Sequence, residues 1–255
     1  MPLPDHASPG AARSFSLAIA GSGGAGVMTA GTLLLDAAAR AGLYGLMVRT
    51  SGPQIRGGEA AALLRLGERP VATLDDRFDV LLAIDWQNLN RFGDEIPIGP
   101  GSLLIGDSDA GEAPEVFVRQ GARLLSLPLK KTAKAAGGGW VNMVALGLAG
   151  TLAGLPAAAL EDALRASWKR SAEALAPNLA ALQQGLALAR GVDGARPAPM
   201  VPAALPAGRA RWLLSGNEAA GCGALRGGVR FVAAYPITPA TELLEWMAPA
   251  LTRLG

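Results

Sequence analysis

Cysteine, histidine and aromatic side chains are all scarce in this sequence: one Cys, one His, and Phe, Trp and Tyr together only 5% of 255 residues. Cys222 has no internal disulfide partner, and with no second Cys or His there is no ligand set for zinc or an iron–sulfur cluster. Any redox step therefore has to send its electrons to another chain. His6 sits in a Pro-, Gly- and Ala-containing N-terminal stretch, which argues against a histidine base supplied by this chain. Charge is also sparse at 17%, and 23 basic residues barely exceed 21 acidic ones, so there is no electrostatic footprint for nucleic acid. No apolar run reaches the ~18 residues of a membrane span. The closest, Trp140 to Pro156, is broken by Asn142, Thr151 and several glycines. Residues 2–14 contain no apolar segment of the secretory-signal type, so a cytoplasmic protein is expected.

What is abundant is small and apolar. Half the residues are hydrophobic, which excludes disorder for most of the length, and 34 Gly plus 18 Pro stay below the ~25–30% of low-complexity chains. Few aromatics with many alanines favour close helix-on-sheet packing, an α/β fold, over a β-sandwich. At ~150 residues per domain the length accommodates roughly 1.7 domains.

Phe15 to Ala20 reads as a buried strand, followed at once by Gly21-Ser22-Gly23-Gly24-Ala25-Gly26 and a helical stretch from Val27 to Ala41. Tyr44 to Thr50 and Glu59 to Leu66 read as strands around a Gly/Pro loop. Asp79 to Asp85, Ser102 to Gly106 and Arg123 to Leu127 follow as further short strands. Together they predict an open, mostly parallel sheet with flanking helices. Helices are expected over Trp140 to Leu155, Ala157 to Arg170, and Ser171 to Arg190 with an interruption at Pro177. Residues 191–208 read as a Pro/Ala-rich linker. A second α/β unit begins beyond it, with strands at Arg211 to Ser215 and Phe231 to Ala234 and helices at Asn217 to Leu225 and Leu243 to Leu254. Two or three strands do not make a stable sheet alone.

The Gly21–Gly26 segment matches G-x-G-x-x-G in its strand-before, helix-after context. Glycines there let the backbone approach a phosphate at a helix N-terminus. A dinucleotide site also wants an acid about 20 residues on, yet Leu46 to Thr50 has none. Arg49 in that stretch keeps open an NADP-binding oxidoreductase reading, and glycines serving only a tight turn are a further alternative. The loop Gln54 to Glu59 places Arg56 beside the same edge of the sheet, either to grip an anion or as a solvated arginine. Asp85-Trp86-Gln87-Asn88 ends a strand on that edge too, with Trp86 either stacking on a cofactor or capping the core.

Gly21 to Gly31 followed by Gly52-Pro53-Gln54-Ile55-Arg56-Gly57-Gly58-Glu59 resembles the gamma domain of the 2-oxoacid:ferredoxin (acceptor) oxidoreductases. Gly216-Asn217-Glu218-Ala219 and Tyr235-Pro236-Ile237-Thr238-Pro239 resemble the opening of the alpha subunit's thiamine-binding (pyrimidine) domain. Gamma first, a linker, then alpha is the order of the fused alpha subunit of the 2-oxoglutarate enzymes. The resemblance covers Phe15 to about Leu254. It implies a gamma domain over residues 15–190, the linker over 191–208, and the start of the pyrimidine-binding domain over 209–255.

The resemblance further implies a thiamine diphosphate enzyme that oxidatively decarboxylates a 2-oxoacid, 2-oxoglutarate favoured, to its acyl-CoA. Thr238 is then the residue at the active site, with Tyr235 and Pro236 shaping the turn, and Ala240 and Thr241 departing from the family's usual serines. Gly21, Gly23, Gly24, Gly26 and Arg56 become candidates for holding coenzyme A or a phosphate. Thiamine diphosphate and Mg²⁺ are shared with a beta subunit that carries a Gly-Asp-Gly, for which Gly106-Asp107-Ser108 is no substitute. An iron–sulfur cluster on a partner chain and ferredoxin or a similar acceptor complete a hetero-oligomer. The family's thiamine-activating glutamate lies beyond Gly255, so a truncated or split alpha subunit, inactive on its own, is expected. A non-catalytic scaffold subunit remains the other reading.

Overall fold

A computed structural model describes residues 13–52, 58–192, 200–201, 211–235, 237–238 and 240–254. Contacts divide the chain into two compact units, Met1–Ala204 and Leu205–Gly255. His6, Arg56, Pro236 and most of the expected linker lie outside the described residues.

The first unit is built on a six-stranded sheet of β1 (Ser14–Ser22), β2 (Tyr44–Ser51), β3 (Glu59–Gly67), β4 (Val80–Ala83), β5 (Leu103–Asp107) and β6 (Arg123–Leu127), in the order β2-β3-β1-β4-β5-β6. β1, β4, β5 and β6 pair in parallel, while β3 runs antiparallel to both β1 and β2. An apolar run specifies burial but not strand direction, so the reversal of β3 was invisible in the sequence. Alternation along the strands divides the core in two. Leu17, Ile19, Val80 and Leu82 face a thick helical layer. Ala18, Ala20, Leu81 and Ala83 face a thinner one closed by Phe78, Phe92 and Phe117.

The thick layer comprises α1 (Val27–Arg40), α3 (Leu129–Ala135), α4 (Val141–Leu152), α5 (Ala157–Ser167) and α6 (Ala172–Arg190); the thin one contains a 3₁₀ turn at Leu89–Phe92 and the single-turn α2 (Glu115–Val118). Small residues set the spacing. A Cβ on Gly31 of α1 would stand 2.6 Å from the Ala62 Cβ of β3. Gly147 of α4 and Gly185 of α6 lie so close that a Cβ on either would overlap the other helix's backbone at Leu182 or Val144.

Three expectations are corrected. Pro177 does not interrupt its helix: α6 runs unbroken, capped by Ser171, whose hydroxyl accepts the Ala174 N–H at 3.4 Å. A proline this near a helix start removes one ladder bond, to the Glu173 carbonyl, and the neighbouring Asn178 side chain adds a tie to the next carbonyl, that of Ala174, at 2.8 Å. α5 ends at Ser167 rather than Arg170, with Trp168 extended. Neither Arg211 to Ser215 nor Phe231 to Ala234 forms a strand.

The second unit consists, among its described residues, of two helices, α7 (Gly216–Arg226) and α8 (Ala240–Leu254). Ser215 and Glu218 form a capping box on α7. Gly221 meets the Trp246 ring and Met247 of α8. Trp212 and Phe231, apolar as strand residues should be, are exposed. A strand needs a paired neighbouring strand, and among the described residues neither segment is assigned to a sheet.

Candidate functional site

The carboxyl ends of β1, β2, β4 and β5 share one edge of the sheet, where open α/β folds bind ligands. The turn from β1 into α1 lies there and assembles Gly21, Gly23, Gly24 and Gly26. The glycines serve different needs. Gly24 and Gly26 adopt φ of 94° and 80°, the left-handed region that costs an L side chain. Gly26 also has no room for a Cβ, because the Asn142 side chain of α4 fills that space. A Cβ on Gly21 would lie 3.3 Å from Val27, where the helix packs on the strand. Gly23 donates its N–H to the Gly58 carbonyl, tying the turn to the 52–58 loop.

Asp85, just past β4, holds the turn from the other side. Its carboxylate accepts the Ser22 N–H at 3.0 Å, the Ser22 hydroxyl at 2.7 Å and the Gln87 N–H at 3.0 Å. Trp86 packs partly against the thin core, and a Cβ on Gly106 would overlap its ring. The capping role for Trp86 is thus the one the packing supports. Glu59 is 6% exposed and pairs with Arg91 at 3.4 Å, while its carbonyl accepts the Gly52 N–H at 2.9 Å, closing the base of the loop that carries Arg56. The first-turn N–H groups of α1 have no carbonyl partner within the helix, and no acid occupies that turn.

Next to the turn lies an open cavity of about 630 Å³, lined by Gly24, Gly26, Lys130, Lys134, Trp140 and Arg170 among others. A second, of about 710 Å³, adjoins it past Ala25 and Lys130 and reaches Asp85, Trp86 and Asp109. Asn142, 3% exposed, donates from Nδ2 to the Gly26 carbonyl at 3.2 Å. Sequence reading noted Asn142 only as a break in an apolar run, although a lone polar residue inside a buried helix is the usual sign of a structural hydrogen bond. Lys130, Lys134 and Arg170 were missed because α3 is short and Arg170 lies beyond a helix end.

Sheet order bears on the NADP alternative. Arg49 lies on β2, and β3 intervenes between β2 and β1. At ~4.8 Å per strand, Arg49 is two strands from the turn, not on the adjacent strand that reads the ribose in a dinucleotide fold. Tyr235 and Thr238 belong to the second unit, both exposed, with the Ile237 N–H bonded to the Tyr235 carbonyl at 2.9 Å and Thr238 two residues before α8.

The fold and its turn define an α/β protein with a glycine-rich strand–turn–helix at the carboxyl edge of a mostly parallel sheet. The chain belongs to the pyruvate ferredoxin/flavodoxin oxidoreductase family, whose model matches residues 16–188. It is 31% identical over 177 residues to the ketoisovalerate oxidoreductase subunit VorA of Methanothermobacter thermautotrophicus, covering 68% of this chain and 36% of that protein. It is also 31% identical over 174 residues to the 2-oxoglutarate synthase subunit KorC of the same organism, covering 66% of this chain and 90% of that protein. The solved 2-oxoglutarate:ferredoxin oxidoreductase of Magnetococcus marinus, with 2-oxoglutarate, coenzyme A and succinyl-CoA bound, superimposes with a TM-score of 0.80 at 32% identity. The match covers 95% of this chain and 42% of that one. The chain thus spans about two fifths of the length of VorA and of the Magnetococcus protein. Among the described residues no helix is long and apolar enough to cross a membrane.

Proposed function

We propose that this chain is a component of a thiamine diphosphate-dependent 2-oxoacid:ferredoxin oxidoreductase that converts a 2-oxoacid, 2-oxoglutarate favoured, to acyl-CoA. The observation that carries the reading is the family match across residues 16–188, which takes in the whole sheet and the glycine turn. Residues 15–190 act as the gamma domain, 191–208 as a linker and 209–255 as the start of the pyrimidine-binding domain.

The donors for a Mg²⁺–diphosphate site do not fit within this chain. Among the described residues no cluster of three His, Cys, Asp or Glu side chains could hold a metal. Asp107, the acid of Gly106-Asp107-Ser108, gives one carboxylate oxygen to the Asp109 N–H at 2.7 Å and the other to the Lys130 N–H at 2.5 Å. It serves the backbone. The diphosphate, its metal and the iron–sulfur cluster are accordingly assigned to a beta subunit, with ferredoxin as acceptor. The chain by itself is inactive in this reading.

Coenzyme A is different, because the edge of the sheet offers anion donors. Gly21, Gly23, Gly24 and Gly26 shape the turn that leads into α1, whose first-turn N–H groups lack a carbonyl partner within the helix, and Arg56 is the candidate cation of the neighbouring loop. Thr238 presents its hydroxyl to the 2-oxoacid, with Tyr235 and Pro236 shaping the approach.

The test is to co-produce the chain with a beta subunit and a polypeptide carrying the remainder of the thiamine-binding domain, and to assay 2-oxoglutarate- and coenzyme A-dependent ferredoxin reduction. Activity is expected only with all the chains present, and Thr238→Ala is expected to lower kcat/KM by at least tenfold, the scale of one lost hydrogen bond in a transition state. No turnover with any 2-oxoacid overturns the reading, and turnover indifferent to Thr238 removes that residue from the site.

A further inference from the structure

The edge of the sheet opposite the glycine turn is built from side chains that tie distant segments together. Asp79 accepts the Ser16 N–H at 2.8 Å and Asp75 the Ser16 hydroxyl at 2.9 Å, while the Arg65 guanidinium lies 3.3 Å from both Asp75 and the Ser14 hydroxyl. These ties fix the start of β1 against the end of β3, where Gly67 pairs with Ser14. Glu68 follows at once. Its N–H donates to the Arg13 carbonyl at 3.1 Å, and one oxygen of its carboxylate accepts the Arg13 N–H at 3.1 Å. The other oxygen accepts the Val201 N–H at 2.8 Å, 133 residues further along the chain.

Val201 lies in the stretch whose prolines read as a linker, yet it is not alone on the first unit. Met200 beside it packs against the core of the thick helical layer, and Val192, just past α6, is buried in that same core. Both fall in the first compact unit, Met1–Ala204. Val201 also precedes Pro202, which biases it toward an extended backbone and lowers the entropy lost on docking. A charged acceptor strengthens both of the backbone hydrogen bonds that it receives. The Val201 N–H foremost, and then the Arg13 N–H, hold the Glu68 carboxyl below the usual glutamate value; desolvation opposes them, and the charges of Arg13 and Arg69 add smaller contributions.

We propose that Glu68 is a clasp whose carboxylate docks Met200–Val201 on the first unit, so that the tether to the second unit starts after Val201 and not at Gly191. One side chain then decides where the segment that carries Thr238 departs from the first unit, at the sheet edge opposite the glycine turn. At ~3.3–3.6 Å per extended residue, a tether over 202–208 reaches at most roughly 25 Å, against roughly 60 Å for 191–208.

The experiment is amide exchange by NMR on the full chain, with oxidation of Met200 by dilute peroxide as a second reporter. Glu68→Ala is expected to speed exchange of the Val201 amide about tenfold and to raise the oxidation rate of Met200 several-fold, while the amides of Leu17 to Ile19 in β1 stay unchanged. Glu68→Gln, left with a single uncharged acceptor oxygen, should fall between. The tether is read from the distance distribution between spin labels at Cys222 of α7 and at Ala157→Cys on α5, which should broaden in Glu68→Ala. Val201 exchange and Met200 oxidation indifferent to Glu68→Ala overturn the clasp. A freed Val201 with an unchanged distance distribution overturns the shorter tether.

Discussion

Gly26 shows how much a single residue carries at this site. Its φ of 80° costs any other L-residue roughly 1–3 kcal/mol, and its missing Cβ makes room for Asn142. Gly24 has a similar conformation at 94° but open space around it. Gly26→Ala is therefore expected to destabilise more than Gly24→Ala, by a further ~1–3 kcal/mol for the displaced Asn142 hydrogen bond. Denaturant melts of the two variants check this, and equal losses would sink it. In a cycle with Asn142→Ala the Gly26→Ala cost should be non-additive. At the opposite edge of the sheet, burial raises the Asp79 carboxyl above the ordinary aspartate value; the Ser16 N–H opposes this, Asp75 adds to it and Arg77 counters. A carboxyl raised in the folded state holds its proton more tightly there than in the unfolded chain. Its contribution is most favourable below the unfolded pKa and declines as pH rises through the folded one. Asp79→Asn, which can still accept the Ser16 N–H, is expected to raise the melting midpoint at pH 7 but not at pH 3. A stabilisation independent of pH would remove burial of the charge as its cause.

At the scale of elements, close approach of α4 and α6 depends on two glycines, Gly147 and Gly185. Gly147→Val is expected to destabilise by about 1–3 kcal/mol or more through overpacking, whereas Ala157→Val at the exposed start of α5 should change little. Thermal melts decide between this and a helix pair loose enough to absorb the change. The scarcity of aromatics announced such packing, and β1, β3, β4 and β5 were legible as apolar runs because strands buried on both faces leave no alternation to misread, while the partly exposed edge strands β2 and β6 were legible from their short apolar stretches. Less local features were not legible. β3 pairs through contacts distant in sequence, so its direction is a tertiary outcome. α3, at seven residues, is too short to show a period, and with it went Lys130 and Lys134. Asn142, and Asp107 in its bond to the Lys130 N–H, act through partners more than 20 residues away.

For the whole molecule, the two units differ in how much they bury. The first has a core on both faces of its sheet, each fully buried Leu, Ile or Phe contributing roughly 1.5–3 kcal/mol. In the second, Met247 is the one buried large apolar side chain among the described residues, and Trp212, Phe231 and Ile237 are exposed. Two helices of 11 and 15 residues joined through Gly221 and Trp246 fall near the length at which isolated helices are marginal. Protection against amide hydrogen exchange in the full chain should reflect that imbalance. Amides of β1, β4 and α4 are expected to exchange at the rate of global unfolding, and those of α7 and α8 at least a hundredfold faster. Equal protection in both would mean that the second unit has a core of its own. If the apolar segments around Trp212 and Phe231 are strands awaiting a sheet, adding the beta subunit together with a polypeptide carrying the remainder of a thiamine-binding domain should slow exchange there selectively. Exchange in β1 and β4, already limited by global unfolding, should change far less.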